Sequence, residues 1–262
     1  MNTQRVAETD IRFRRGGDGD CALVFVHGFL DDQYVWDGVI AEMGTPGVEA
    51  VQLDLAGCGD RAEASGPFNL DRFVSDVGAV VDALDKPVVL VGQSMAGPIV
   101  ELVGAARPDR TRGLVLVTPI PLAGTHLPDD AIESFRALGG DLEAQRAVRR
   151  QLSTALTEAD LDGLAVVGGR VRPEVVRDLV DCWNTGHAQG AQPSAFTGPV
   201  LVLRGGDDGF VTENVVANGV LPRFCAPQTT VIPQAGHWVH CEQPALVAAH
   251  LDAFLEDVDL QQ

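Results

Sequence analysis

The chain has 262 residues, of which 45% are hydrophobic and 21% charged, an ordinary globular composition with room for one large domain rather than two. Lys and Arg total 19 against 37 Asp and Glu, a formal net charge of −18. Such a surface repels phosphate backbones and anionic headgroups, which sets nucleic-acid and membrane-surface roles aside, and no apolar run approaches the roughly 20 residues that span a bilayer.

Residues 1–15 are polar and charged, without the apolar stretch of a secretory leader. Five cysteines, Cys21, Cys58, Cys182, Cys225 and Cys241, are odd in number and irregular in spacing. Neither a disulfide framework nor a Cys-x-x-Cys metal pattern is expected, and a reduced cytoplasm is the simplest compartment.

Polar, alternating runs at 5–7 and 11–14 predict an exposed antiparallel edge. Continuous apolar runs follow at 22–26, 48–53, 88–91, 114–117, 200–203 and 230–232, the pattern of strands buried on both faces. Between them, 34–43, 70–84, 97–106 and 245–254 repeat near 3.6 residues. In 70–84, Phe73, Val77, Val80, Val81 and Leu84 form one stripe, and Asp71 sits in the first turn, where it suits the helix dipole. This alternation predicts an α/β fold, a mostly parallel sheet with helices on both faces. It breaks between 121 and 193, where helical patterns at 129–138, 142–156, 158–167 and 174–184 carry no convincing strand. The expected organisation is one core, 1–120 and 194–262, with an all-helical cap inserted at 121–193.

The run 88–91 passes into Gly92-Gln93-Ser94-Met95-Ala96-Gly97 and at once into a helical pattern. A serine on so sharp a turn is thrust above the sheet, and small neighbours let strand and helix close up. The plain alternative is a Gly-rich turn that binds an anion or simply packs. A hydroxyl becomes a nucleophile only beside a base. Of six histidines, His237 lies in Gln234-Ala235-Gly236-His237-Trp238, just after the last strand. His240 is offset by three residues and should point elsewhere, His250 falls in the final helical pattern, His27 reads as loop architecture, and His126 and His187 as exposed.

The base needs a carboxylate to hold its tautomer. Arg204-Gly205-Gly206-Asp207-Asp208-Gly209 supplies Asp208 at the end of another strand, with Asp207 as the alternative. After 24–26, His27-Gly28-Phe29 lets a loop fold back over the serine, so the backbone N–H groups of Phe29 and Met95 become candidate oxyanion donors.

Oxyanion loop, Ser, Asp and His thus occur in that order, each just after a predicted strand. On these segments the chain resembles the α/β-hydrolase family in its single-domain form with a helical cap. A further match is Asp54-Leu55-Ala56-Gly57-Cys58-Gly59, similar to the family's Asp-x-x-Gly-x-Gly loop. Two departures are Ala96, where the family's serine motif has glycine, and Asp60-Arg61 in place of the customary serine after the loop.

The resemblance implies an eight-stranded, mostly parallel sheet, acyl transfer without cofactor or metal, and a pocket between cap and core. Ser94 stands where relatives that open epoxides or displace halide carry aspartate, and Lys86 lies at the wrong end of its strand for cyanohydrin cleavage. The expected function is a serine hydrolase cleaving a small, mostly apolar carboxylic ester or lactone through an acyl-enzyme on Ser94. One alternative is a carbon–carbon bond hydrolase of ring-cleavage-type diketones, which would turn a basic residue among Arg136, Arg146, Arg149 and Arg150 toward a substrate carboxylate. Of these, Arg146, Arg149 and Arg150 fall on one helical face that reads as solvated. A ligand-binding protein without turnover is the other alternative. Trp238, Phe135, Leu138 and Trp183 are the candidate pocket residues, and a small-molecule ester or lactone is the one partner implied.

Overall fold

Along residues 21–26 every side chain is buried, yet Val24 and Val26 enter one apolar cluster while Leu23 and Phe25 enter another. Successive strand residues point to opposite faces, so a strand of this kind requires cover on both sides. The computed structural model, which describes residues 1–7 and 9–258, shows how the chain supplies it. Strands β1 (Asn2–Arg5), β2 (Arg12–Gly16), β3 (Cys21–Val26), β4 (Val48–Leu53), β5 (Val88–Gln93), β6 (Thr111–Val117), β7 (Val200–Gly205) and β8 (Gln228–Ile232) form one sheet in the order β1-β2-β4-β3-β5-β6-β7-β8. The β1–β2 and β2–β4 pairings are antiparallel and all the others parallel. This is the α/β-hydrolase fold.

Helix α1 (Asp37–Glu42) contributes Val39 to the cluster on one face of the sheet. Helices α2 (Leu70–Ala83) and α3 (Ala96–Ala106) bury Phe73, Val77, Ile99 and Val103 in the larger cluster on the other. Asn69 starts α2 by accepting the Arg72 N–H, satisfying a donor that the first turn leaves free. Between β6 and β7 lie α4 (Asp129–Arg136), α5 (Leu142–Leu152), α6 (Glu158–Gly168) and α7 (Pro173–Thr185), with no strand among the described residues. A reciprocal Thr157–Asp160 cap opens α6, and Pro173 opens α7. After β7, the short α8 (Glu213–Val215) runs into a π-helical turn, Val216–Val220. Helices α9 (Val239–Glu242) and α10 (Pro244–Asp257) return to the face covered by α1.

Two strands differ from expectation. β1 lies upstream of 5–7, because Arg5 pairs with Arg12, and beyond that pair the Val6 N–H donates to Ile11 O at 2.9 Å. In β8 only Ile232 is buried and Val231 is 53% exposed; among the described residues the strand pairs with β7 alone and ends the sheet. Helix α5 also stops at Leu152, short of the expected 156. All five cysteines are free. Among the described residues no helix is long and apolar enough to cross a membrane.

From β3 the chain goes to β4 on one side and later to β5 on the other, so the crevice beyond the C-terminal ends of β3 and β5 is where ligands bind in sheets of this kind.

His240 is fully buried, its ring 4.6 Å from that of Trp36, and among the described residues neither ring nitrogen has a hydrogen-bond partner. Burial pushes its imidazole down to about 4 from 6.5. The unfolded chain therefore takes up the proton first, and stability falls as pH drops from 6.5 toward 4. Urea unfolding at pH 7.5 and 5 should show His240→Leu losing about 2 kcal/mol less over that interval than the parent chain.

Candidate active site

β5 ends at Gln93 and α3 starts at Ala96, so Ser94 and Met95 turn the chain. Ser94 has φ 52°, a left-handed conformation that a residue with a side chain keeps only when its surroundings impose it. Its N–H donates to Val117 O at 2.9 Å and its carbonyl accepts from Gly97 N at 3.0 Å. Close approach makes glycine necessary nearby: a Cβ on Gly92 would sit 2.5 Å from Ala96 O. Ala96 itself is fully buried, so its extra methyl is accommodated in the packing.

His237 Nε2 lies 3.0 Å from Ser94 Oγ, and Nδ1 lies 2.9 Å from Asp208 Oδ2. All three side chains are buried. An ionised carboxylate can only accept, so Nδ1 carries the proton and Nε2 turns its lone pair to the Ser94 hydroxyl. Burial works to raise the Asp208 carboxyl, but the facing His237 and the N–H groups of Val211 and Phe210, 2.9 and 2.8 Å from Oδ1, outweigh it and hold the group below its ordinary value. Asp207, the alternative acid, is exposed. The N–H groups of Phe29 and Met95 donate to no protein acceptor among the described residues.

The peptide of His237 is held as firmly as its ring. Its N–H donates to Leu152 O at 2.7 Å, and its carbonyl accepts from Thr118 Oγ1 and Gln93 Nε2 at 3.1 and 3.2 Å. The carboxylate of Glu242 gathers the N–H groups of Gly236, Thr154 and Ala155 at 3.0, 2.7 and 2.8 Å. One turn before Leu152, Arg149 Nη2 donates to Leu30 O at 2.7 Å and to Asp31 Oδ1 at 3.1 Å, and Trp238 Nε1 donates to Asp31 Oδ2 at 3.0 Å. Thus α5 and the residues just after it grip both the loop following β3 and the loop following β8.

A family model described as the alpha/beta hydrolase family matches residues 23–250. The chain belongs to that family. It is 28% identical over 247 residues to an sn-1-specific diacylglycerol lipase of Mus musculus, covering 87% of this chain and 79% of that protein. It is 30% identical over 264 residues to the 2-succinyl-6-hydroxy-2,4-cyclohexadiene-1-carboxylate synthase of Enterobacter sp. (strain 638), covering 92% and 94%. A bromoperoxidase from Bacillus anthracis shares the fold with a TM-score of 0.84 over 98% of this chain and 99% of that one, at 19% identity.

In this α/β-hydrolase a cavity of about 40 Å³ adjoins Ser94 and His237. Trp238, Phe135, Leu138, Trp183 and Phe29 all line it, whereas Met95 is fully buried outside its wall. Sequence reasoning missed Phe210 and Ile120, which also line it. The signal for Phe210 was its place two residues after Asp208, whose Oδ1 its N–H must reach. Arg149 corrects an expectation: it lines the cavity at 2% exposure instead of joining a solvated face. Arg146 and Arg150 do lie outward, both paired with Glu158. In the Asp54 loop the carboxylate accepts from Gln33 N, Gln33 Nε2 and Asp60 N. Among the described residues no three His, Cys, Asp or Glu side chains gather as a metal site requires.

Removing Arg149 would leave the buried Asp31 carboxylate without its cation, although Trp238 Nε1 would still donate to it. Arg149→Met should cost about 3–5 kcal/mol in denaturant unfolding, and adding Asp31→Asn should recover part of that loss.

Proposed function

We propose that the chain is a serine hydrolase of small, mostly apolar carboxylic esters or lactones, with residues 121–193 as the cap over its pocket. The observation that carries this reading is the continuous hydrogen-bonded line from Ser94 Oγ through His237 to Asp208. His237 Nε2 takes the hydroxyl proton as Ser94 Oγ bonds to the substrate carbonyl carbon, and Asp208 stabilises the imidazolium that forms. The N–H groups of Phe29 and Met95 receive the negative charge on the carbonyl oxygen. As the tetrahedral centre collapses, the carbon–oxygen bond to the alcohol breaks and the leaving oxygen takes the proton from Nε2. Water then gives its proton to His237, attacks the acyl-serine, and frees the acid and Ser94.

Carbon–carbon hydrolysis of a carboxylated diketone would need a free cation in the cavity. Arg149 reaches it but is already matched by Asp31, and Arg136, Arg146 and Arg150 pair with surface acids. Those pairings favour the ester reading.

Incubation with a fluorophosphonate probe should label Ser94, as peptide mass spectrometry would show, and p-nitrophenyl acetate should be turned over. Ser94→Ala should abolish labelling and lower kcat by on the order of 10⁴–10⁶, and Asp208→Asn by about 10⁴. An unlabelled Ser94 with no release of nitrophenol would sink the proposal and favour a binding protein.

A further inference from the structure

The catalytic cavity has a much larger neighbour. On the outer side of Ile120, Phe135 and Phe210, which wall both spaces, lies an open groove of about 470 Å³ bounded by the 120–127 segment and by residues 209–219. Among the described residues no ionisable side chain lines it, although charged residues make up 21% of the chain. Depressions of similar size elsewhere are lined by Asp71, Asp178 and Asp181, or by Asp32, Asp160 and Arg170. A third, around Met1 and Met43, has no ionisable side chain among its described lining but shares no wall with the cavity. Part of the groove is formed by the π-helical turn Val216–Val220, an uncommon geometry that is frequent at functional sites.

The two spaces differ in what they can hold. The inner cavity is the smaller, about 40 Å³ against about 470 Å³, and it is lined by Val148 and Leu152 of α5 and by Leu138 just before it; α5 is bound to the core through Leu30, Asp31 and His237. The opposite wall is made differently. Phe135 comes from α4, whose polar ties run to α7, from Arg136 to Asp181 and from Arg177 to Glu133, and its ring meets Phe210 at 5.6 Å. Phe210 in turn sets its ring nearly perpendicular to that of His237, 5.4 Å away. The imidazole delivers the proton to the leaving oxygen, so the alcohol half of an ester lies on the imidazole side, the side that Phe210 walls.

We infer that the groove is the binding site for the alcohol moiety of the substrate, a neutral apolar chain that reaches it by parting the contacting rings of Phe135 and Phe210, while the inner cavity takes only a short acyl group. This partition rests on the serine-esterase reading and names its substrate class: short-acyl esters of long, uncharged alcohols.

Two ester series test it, alkyl acetates from methyl to octyl and methyl alkanoates from acetate to octanoate, followed by acid release in a pH-stat. On the parent enzyme kcat/KM should rise at least tenfold along the first series and fall at least tenfold along the second. Asn218→Trp fills the groove from an exposed position and should lower the octyl-to-methyl acetate ratio of kcat/KM at least fivefold, while Phe210→Ala should change that ratio through the shared wall. Octanoates preferred over acetates, or an octyl-to-methyl ratio indifferent to Asn218→Trp, would overturn the partition and leave the esterase standing. No turnover in either series, with Ser94 unlabelled by fluorophosphonate, would overturn the esterase reading and the partition with it.

Discussion

The hydrogen bond from His237 N–H to Leu152 O joins the helical segment to the core at the proposed general base. A base must hold its nitrogen within a fraction of an ångström of the hydroxyl it serves, and a histidine on a loop has two freedoms to lose, that of its peptide and that of its ring. Leu152, Gln93 and Thr118 remove the first by bonding the N–H and the carbonyl. Asp208 removes much of the second, helped by the rings of Phe210 and Trp238, which meet the imidazole edge-on at 5.4 and 5.3 Å. Gly236 is required by the same bond, since a Cβ there would lie 2.3 Å from Leu152 O.

Acidic side chains do much of this fastening. The chain carries a net charge of −18, yet each buried carboxylate at this end of the sheet is met by donors. Asp208 has two main-chain N–H groups and the imidazole, Asp31 has Arg149 and Trp238, Glu242 has three main-chain N–H groups, and Asp54 has Gln33 and Asp60. A buried charge is tolerable only when so satisfied. The result is that loops separated by long stretches of chain are tied at their backbones, where side-chain flexibility cannot loosen them.

Much of this arrangement was legible in the sequence because the relevant signals are local. A run such as 88–91 followed by Gly92 and Ser94 states its own turn, and the order of the loop segments follows from the strands that precede them. Asp208 could be preferred to Asp207 by spacing alone, although only the fold shows that the neighbouring acid faces solvent. Arg149 was misplaced for a different reason. Spacing puts Arg146, Arg149 and Arg150 on one helical face, but how far that face rotates toward the core is a tertiary fact, set here by Asp31 and Leu30. The exposure of β8 escaped likewise, since nothing in residues 230–232 reveals that the strand pairs on one side only among the described residues. Phe210 and Ile120 sit in loops whose approach to the cavity depends on segments distant in the chain.

One consequence concerns how such a molecule can diversify. Because α5 and the turn after it are spliced to both functional loops, residues 149–155 behave as part of the chassis, whatever their position between two core strands suggests. The stretches around α4, α6 and α7 carry no such tie to His237 or Leu30 among the described polar contacts. Replacing those stretches would recast the cavity wall through Phe135 and Trp183 but leave these bonds in place, while a chimera that replaced α5 would lose the bonds that hold the loop of His237.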